Sequence, residues 1–333
     1  MAFRNPRRSF ILGAVSAAAM MSAGVRAQSA SAYPSRPVRL VVAFAPGGPI
    51  DLATRVVAEQ LTKKLGQTFV VENRTGANGA IAADHVRMTD ADGYTVLISN
   101  ASMITITPTL KKDLSYNVER DFEPVTRIAS SAMVLVVNTE DPATKDIHSV
   151  KDLVEAAKRE PGKFSYGSAG ANGNVQQLAF ELFAIEAGIS LLSVPYKGSS
   201  EVQMALLSQT LSLSFDTLTA IPYIESGRFR ALAVSSLERM PQLPDVPTMD
   251  EVGFPGFNMG FWSGVFMPKG TPEAIVNKMS QAIGEICADP AIRERLAPYG
   301  TVVTSTPAEF RDYIKTETTL VSDVIRRAKI EAA

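Results

Sequence analysis

Residue types that commonly do chemistry are sparse in this chain of 333 residues. It has one cysteine, Cys287, and two histidines, His85 and His148. A metal site needs several His, Cys, Asp or Glu residues at ligand spacing, and the sequence shows no such cluster. Ser168 in "YGSAG" follows a glycine directly, so the G-x-S-x-G pattern of a nucleophile elbow is not met. The sequence therefore favours binding over catalysis, with no cofactor and no metal.

Small and glycine-rich residues follow most of the predicted strands, and these turns carry the binding signal. The clearest is "PGGPID" (46–51), which ends the buried-type strand "VRLVVAFA" and begins a helical run. In an open parallel sheet, ligands bind beyond the carboxyl ends of the strands. Glycine lets a backbone approach a ligand closely, and the free N–H groups of a helix start favour an anion. The other turns of this kind are Gly76–Gly79, Ser99–Asn100, Ser168–Gly173 and Phe215–Thr217.

The letters "GANG" occur twice, at Gly76–Gly79 and at Gly170–Gly173. Each copy stands between a strand-like run and a helical run, and another strand follows each helix. Strand, turn, helix and strand form the unit that builds parallel sheets. We therefore expect two similar α/β lobes, the first reading β-α-β-α-β, whose GANG turns face each other across a ligand.

Several single residues have a structural interpretation that competes with a role in binding. Asp51 falls in the first turn of a helix that begins at Pro49, and stabilising the helix dipole is favoured over direct ligand contact. Trp262, the only tryptophan, is expected to pack in the core or at a hinge rather than to stack on a ligand, and Cys287 is expected to be a buried apolar thiol. Two late helices carry start signals, which are an N-cap at Thr271 before Pro272 and a capping box formed by Thr306, Pro307 and Glu309.

The first residues predict export. Arg4, Arg7 and Arg8 precede an uncharged apolar stretch, and "VRA" (25–27) resembles a signal peptidase site, so residues 1–27 are expected to be a signal peptide. "RRSFI" also resembles a twin-arginine signal, which leaves the export route open. Without this segment and its four arginines, 29 basic residues face 34 acidic ones, a net charge of −5. The mature chain has no basic run, which argues against nucleic-acid binding.

Longer stretches of the chain resemble one known family. They include "RPVRLVVAFAPGGPIDLATR", "VVENRTGANGAIAAD", "VPYKGSSE", "LPDVPTMDEVGFPGF" and "FWSGVFMPKGTP", in the order typical of the Bug family, also called TctC. Its members are periplasmic solute receptors of tripartite tricarboxylate transporters. The resemblance covers the chain from about Tyr33 to the C-terminal helices.

The resemblance implies an α/β fold of the type II periplasmic-binding-protein class, with two α/β lobes and a ligand cleft between them. Lobe 1 would comprise 33–137 and 260–333 and lobe 2 would comprise 138–259, with crossings near Val136–Thr139 and Asn258–Ser263. A monomer would bind a small carboxylated ligand in the periplasm and deliver it to membrane permease subunits. The ligand-binding positions carried over are Ala45, Gly47, Gly48, Asp51, Asn78, Ser99, Ser168, Ala169, Tyr196 and Asp216.

Some positions depart from the family pattern, and they keep the ligand open. Asn78 stands where a glycine is frequent, Asn172–Asn174 where a Gly-Ser pair is frequent, and Gln177 where a histidine is common. A receptor that presents its ligand to a membrane sensor kinase is an alternative, and a periplasmic enzyme on the same scaffold is a weaker one.

The way in which the anion is held is a separate expectation. We expect backbone amides at Gly47, Gly48 and Ser168–Gly170 to hold the ligand's carboxylates, without help from Arg74 or Lys197. A valine at Gly48 would then obstruct both the close approach of the ligand and any positive φ that the turn needs.

Overall fold

The computed structural model describes residues 33–169, 173–196 and 198–330. The strands, in chain order, are β1 (Val38–Val42), β2 (Phe69–Asn73), β3 (Thr95–Asn100), β4 (Phe122–Ala132), β5 (Val134–Asn138), β6 (Ser165–Ala169), β7 (Leu192–Tyr196), β8 (Leu213–Asp216), β9 (Phe229–Val234), β10 (Gly260–Pro268) and β11 (Thr301–Val302).

The α-helices are α1 (Pro49–Leu65), α2 (Ala80–Arg87), α3 (Thr107–Leu110), α4 (Val118–Asp121), α5 (Val150–Arg159), α6 (Val175–Ala187), α7 (Ser199–Leu207), α8 (Ile221–Glu225), α9 (Glu273–Ala288), α10 (Pro290–Leu296) and α11 (Pro307–Ala328). Short 3-10 turns precede α2 and α8 and follow α10, and a π-helical turn, Ser102–Ile106, leads into α3. Within the described ranges, none of these helices has the length and apolar content needed to span a bilayer.

The strands form two sheets, as the sequence predicts for a two-lobed α/β protein. The six-stranded sheet has the order β11-β4-β10-β3-β1-β2, and the five-stranded sheet has the order β7-β6-β8-β5-β9. β1 runs parallel to β2 and β3, and β6 runs parallel to β7 and β8, so each sheet has a parallel part. The expected β-α-β-α-β order of the first lobe is present in β1, α1, β2, α2 and β3.

Three hydrophobic cores cover the faces of these sheets. One core lies between the six-stranded sheet and helices α1 and α9, around Val57 and Ile283. A second lies between the five-stranded sheet and helix α7, around Val202. The third is continuous between the sheets, because α11 side chains such as Phe310 and α6 side chains such as Phe180 belong to the same cluster. Burial of these apolar side chains is what fixes the two sheets beside each other.

The chain changes sheet earlier than the sequence suggests. β4 and β5 are separated only by Met133, yet β4 pairs with β10 while β5 pairs with β8 and β9. The expected lobe bound at residue 137 therefore does not coincide with the change of sheet, because Val134–Val137 hydrogen-bond in the second sheet. The return to the first sheet occurs before Gly260, where β10 begins.

The two predicted helix starts have different outcomes. The capping box at Thr306 and Glu309 is present, with both reciprocal hydrogen bonds. The prediction at Thr271 is wrong, because α9 begins at Glu273 with Pro272 in the cap position. The Thr271 hydroxyl instead donates to the carbonyl oxygen of Pro268 at 2.7 Å, which closes the turn after β10.

Candidate functional site

The turn between β1 and α1 is organised around the carboxylate of Asp51, whose side chain is 1% exposed. Its Oδ2 accepts from the Gly47 N–H at 2.9 Å and from Arg55 Nε at 3.0 Å. Its Oδ1 accepts from Asn73 Nδ2 at 2.9 Å, and the same amide donates to the Phe44 carbonyl oxygen. Asp51 thus ties the start of α1 to the end of β2.

These contacts decide the charge and the role of Asp51. Burial alone would raise the pKa of Asp51, but the hydrogen bonds from Arg55, Gly47 and Asn73 outweigh it and lower the pKa. Both carboxylate oxygens accept hydrogen bonds from the protein itself. These contacts agree with the structural role that the position of Asp51 in the first helical turn favours, and its direct contact with a ligand stays a prediction.

The glycines of this turn differ from the sequence-based expectation. Gly47 has the positive φ, +80°, whereas Gly48 has a φ of −74° that any residue adopts. The Gly47 N–H donates to Asp51 and the Gly48 N–H to the Ala45 carbonyl oxygen, so both amides have acceptors within the protein, and their expected contact with a ligand stays a prediction. The first N–H groups of a helix have no acceptor within it, and Pro49 has no N–H. The available donors of this turn are therefore those of Ile50 and Asp51.

The ends of β2 and β3 bring Asn78 and Ser99 into the same lobe. Asn78 lies in the 3-10 turn Ala77–Gly79, and its side chain lies outside the described residues. Ser99 is fully buried, and its hydroxyl donates to the sulfur of Met103 at 3.0 Å. Met103 lies in the π-helical turn, a rare element that is frequent at functional sites. Ser99 is thus positioned behind the surface rather than on it.

In the second lobe, Ser168 is held by the start of α6. Asn174 donates from its amide to Ser168 Oγ at 2.6 Å and caps α6 by accepting from the Gln177 N–H at 3.0 Å. Gln177 in turn accepts from the Gly173 N–H at 2.8 Å. Asn174 and Gln177, which both lie at positions that depart from the family pattern, therefore hold this turn in place. An asparagine before a helical run is an N-cap signal, so the role of Asn174 was readable from the sequence.

The remaining predicted positions lie at the ends of β6 and β7. Ala169 pairs with Tyr196 in the parallel register, and the side chain of Ala169 lies outside the described residues. Tyr196 is half-buried against the core on the α7 face. Residues 170–172 and Lys197 also lie outside the described residues, so the second GANG turn and its expected position opposite the first remain a prediction.

Asp216, at the end of β8, is the second buried carboxyl group at the strand ends. It is 1% exposed, and its Oδ1 accepts from the Thr217 N–H at 2.7 Å and from Gln203 Nε2 at 3.2 Å. Its Oδ2 is buried without a hydrogen-bond partner in the described part of the chain. Burial raises the pKa of Asp216, and the hydrogen bonds from Thr217, Gln203 and Thr219 offset this only in part. A buried oxygen of this kind marks a position where a donor from outside the protein would be favourable.

A cavity of about 440 Å³ lies between the two sheets. Its wall comes from both sides of the structure, at the start of α1, the ends of β3 and β4, the start of β10, the start of α7 and the turn after β8. The lining residues are Pro49, Ile50, Asn100, Ala129, Ser130, Ser131, Ser199, Ser200, Gln203, Thr217, Leu218, Thr219, Phe261, Trp262, Ser263, Pro298 and Tyr299.

Three of the predicted residues directly precede described residues of this wall in the chain. Gly48, Ser99 and Asp216 immediately precede Pro49, Asn100 and Thr217, which line the cavity. Ser130, Phe261 and Tyr299 were missed, because long-range strand pairing brings them there and no local motif marks them. Trp262 packs edge-on against Phe310, as expected of a core residue, and also borders the cavity.

In the part of the chain that the structure describes, no catalytic or metal-binding constellation is present. Ser168 Oγ accepts a hydrogen bond from the Asn174 amide. Cys287 is buried, and burial raises the pKa of its thiol to about 11, so it packs as the apolar residue expected. Across residues 33–169, 173–196 and 198–330, no group of three or more His, Cys, Asp or Glu side chains could hold a metal ion.

Comparison with known proteins identifies the family. The model of the tripartite tricarboxylate transporter family receptor, TctC, matches residues 53–329. BugT of Bordetella pertussis is 36% identical over 309 residues, which are 92% of this chain and 93% of BugT. Rpa4515 of R. palustris, solved with adipate, is 32% identical with a TM-score of 0.73 over 90% of this chain and 99% of that one. MatC (Rpa3494) of Rhodopseudomonas palustris, solved with bound malate, is 28% identical with a TM-score of 0.67, and the match covers 88% of this chain and 100% of MatC. The chain therefore belongs to the TctC family of tripartite tricarboxylate transporter receptors, as its motifs indicate.

Proposed function

We propose that this protein binds a small carboxylated solute between its two lobes and delivers it to the membrane permease of a tripartite tricarboxylate transporter. The observation that carries the proposal is the cavity between the sheets, walled by strand ends and helix starts of both. Ligands of this fold class bind at such strand ends. The relatives solved with adipate and malate support a carboxylate as the ligand.

The carboxylate is proposed to bind at the start of α1. Pro49 and Ile50 border the cavity, and the N–H groups of Ile50 and Asp51 are the helix donors without an intrahelical acceptor. Two charge-assisted hydrogen bonds would contribute roughly 1.5–3 kcal/mol each. Asp51 acts as a positioning residue, because it holds Gly47 and Asn73 and so fixes where these donors point. Arg74 is paired with Glu72 and is not required.

On the opposite side of the cavity we propose that Gln203 and Thr217, with Asp216 behind them, face the rest of the ligand. Gln203 and Thr217 line the cavity, and both donate to Asp216 Oδ1. A ligand that contacts both lobes favours the closed arrangement to the extent that it binds this arrangement more tightly than the open one. The lobes are proposed to comprise β1–β4 with β10–β11 and β5–β9, as the sheet pairing suggests.

Residues 1–27 are proposed to direct export, with cleavage before Gln28. N-terminal sequencing of the protein from a periplasmic fraction tests this, and a chain that still begins at Met1 would exclude it. Replacing Arg7 and Arg8 by lysine distinguishes the routes. Export blocked by this change supports the twin-arginine route, and unchanged export supports the general secretory route.

A thermal-shift screen of the mature chain against carboxylic acids tests the binding function. A ligand at 100 times its Kd should raise the free energy of unfolding by about 2.7 kcal/mol. Gln203→Ala should weaken binding about tenfold, whereas Gln281→Ala, an exposed glutamine on α9, should leave it unchanged. If no carboxylate stabilises the chain, the proposal is wrong. Deletion of the gene tests delivery to a permease, because uptake of the identified ligand should then be lost. Unchanged uptake together with altered gene expression would favour the sensor-kinase alternative.

A further inference from the structure

The wall of the cavity between the lobes is uncharged throughout the described residues that form it. Its polar members are neutral hydroxyl and amide side chains, and much of the remainder is aromatic or aliphatic. Ile50, Phe261 and Tyr299 contribute from the first lobe, and Leu218 from the second. A charged group that enters an uncharged wall loses hydration without gaining an ion pair, which is unfavourable.

Partly buried apolar side chains that pack against each of the three cores also line the cavity. Ile50 and Tyr299 are half-buried against the core beside α1, Phe261 against the core shared by both lobes, and Leu218 against the core beside α7. Each has packed one side in a core and left the other side facing the cavity. Apolar surface that remains exposed on a cavity wall is typical of a site for an apolar group.

A buried carboxyl group on the second-lobe side of the wall disfavours a second anion there. Asp216 lies directly behind Thr217 and Gln203, which line the cavity. When ionised it would repel a ligand carboxylate placed against these residues. The helix donors at Ile50 and Asp51 can hold one carboxylate at the opposite end. The site thus has one anion-binding end and one end suited to an uncharged body.

We infer that the ligand is a monocarboxylate with an apolar body of about the size of an aromatic ring, rather than a short aliphatic dicarboxylate. Its carboxylate binds at the start of α1, and its body packs between Ile50, Phe261 and Leu218. This inference rests on the proposed receptor function and specifies the substrate class of that same site.

Calorimetry and the fluorescence of Trp262 test the inference on the mature chain. Trp262 is the only tryptophan and borders the cavity, so its emission reports on what enters. The probes are benzoate and 3-phenylpropionate, each compared with adipate and malate. We expect the phenyl acids to bind at least tenfold more tightly, with a negative heat-capacity change that marks apolar burial.

Paired variants locate the apolar body. Leu218→Asn should weaken 3-phenylpropionate about tenfold, and Leu237→Asn, the same change at an exposed leucine that does not line the cavity, should have no effect. Thermal unfolding of each variant shows that it folds. The affinity should also survive Lys197→Met, which removes a cation two residues before Ser199 of this wall.

The possible outcomes separate the inference from the receptor function. Tighter binding of adipate or malate overturns the inference and leaves the receptor function intact. Loss of 3-phenylpropionate binding in Lys197→Met, with no effect of Leu218→Asn, also overturns the inference, because the ligand would then be held by a side-chain cation. Failure of all four acids to bind contradicts the receptor function for these acids and overturns the inference that rests on it.

Discussion

At the scale of single residues, the turn after β1 shows how one backbone angle decides which glycine is essential. Gly47 has a φ of +80°, and its N–H donates to Asp51, whereas Gly48 has an extended conformation open to other residues. We therefore expect Gly47→Ala to lower the free energy of unfolding by about 1–2 kcal/mol, the penalty of a left-handed conformation for a residue with a Cβ. It should also weaken carboxylate binding.

Gly48→Ala is the matched control for this change. A Cβ at Gly48 would lie 3.4 Å from the Ala45 carbonyl oxygen, a contact that needs at most a small adjustment. Urea unfolding of both variants decides the comparison. A larger loss of stability in Gly48→Ala than in Gly47→Ala would contradict this account of the turn.

Asp216 predicts a pH dependence of both stability and binding. Because its pKa in the folded protein is raised above the usual 3.8, the folded state holds this proton more strongly than the unfolded state. The stability that results is fully present below the unfolded pKa and is lost as the pH rises through the folded pKa. Asp216→Asn retains a neutral group, so its stability relative to the wild type should increase as the pH rises above about 4. Carboxylate affinity should fall with pH in the wild type and less in this variant.

The control for this behaviour is Asp323→Asn on α11. Hydrogen bonds from Arg327 and Arg326 lower the pKa of Asp323, which is the opposite shift. The stability of Asp323→Asn relative to the wild type should therefore not increase as the pH rises. Urea titrations at several pH values measure both variants, and parallel curves for wild type and Asp216→Asn would show that Asp216 titrates normally.

At the scale of elements, a contact between β10 and α11 couples the cavity wall to a buried carboxyl group. Trp262 on β10 borders the cavity, and Glu317 on α11 carries the carboxyl group. Trp262 Nε1 donates to Glu317 Oε1 at 2.8 Å and to Oε2 at 2.9 Å. Burial raises the pKa of Glu317, although hydrogen bonds from Trp262, Thr105 and Tyr313 oppose the shift. By the same linkage as at Asp216, this contribution to stability is lost as the pH rises through the raised pKa.

Glu317→Gln tests this coupling. The emission of Trp262 should change with pH in the wild type as Glu317 ionises, and should stay constant in Glu317→Gln. Glu294→Gln, a change on the exposed face of α10, should behave as the wild type. A pH response of the emission that persists unchanged in Glu317→Gln would exclude Glu317 as its source.

The elements also show how far local sequence signals reach. Strand, helix and glycine patterns around β1, α1, β2, α2 and β3 are local, and the sequence predicts their order and the capping box at Thr306. The change of sheet at Met133 could not be predicted, because β5 follows β4 after one residue without a turn, and only the pairing of β5 with β8 and β9 distinguishes the two strands. The cavity wall at Ser130, Phe261 and Tyr299 was missed for the same reason, since it depends on pairing between strands that are distant in the sequence. The local patterns point to Gly48, Ser99 and Asp216, each of which directly precedes a residue of the wall in the chain.

At the scale of the whole molecule, one serine connects the two segments that pass between the sheets. Ser235 Oγ accepts from the Met133 N–H at 2.8 Å and donates to the Met259 carbonyl oxygen. Its backbone N–H donates to the Met133 carbonyl oxygen, and the Met259 N–H donates to its carbonyl oxygen. Met133 lies between β4 and β5, and Met259 directly precedes β10, so both crossing segments are held at one fully buried residue.

Ser235→Ala should therefore affect stability and domain closure together. The change leaves the Met133 N–H and the Met259 carbonyl oxygen buried without this hydroxyl, at about 1–3 kcal/mol for an unsatisfied buried group. It also removes a link that fixes the two segments relative to each other, so the unliganded lobes should sample a wider range of openings. If a smaller fraction of the unliganded protein is able to close, the apparent affinity for the ligand falls in proportion to that fraction.

The neighbouring Ser236→Ala provides a matched control, because the Ser236 hydroxyl bonds only to the exposed Glu238 carbonyl oxygen among the described contacts. Urea unfolding should separate the two variants. Small-angle scattering should give a larger radius of gyration for unliganded Ser235→Ala than for the control, with the two values converging when ligand saturates both. If the two variants unfold alike and scatter alike without ligand, the crossing segments are fixed by strand pairing alone, and Ser235 has no part in the movement of the lobes.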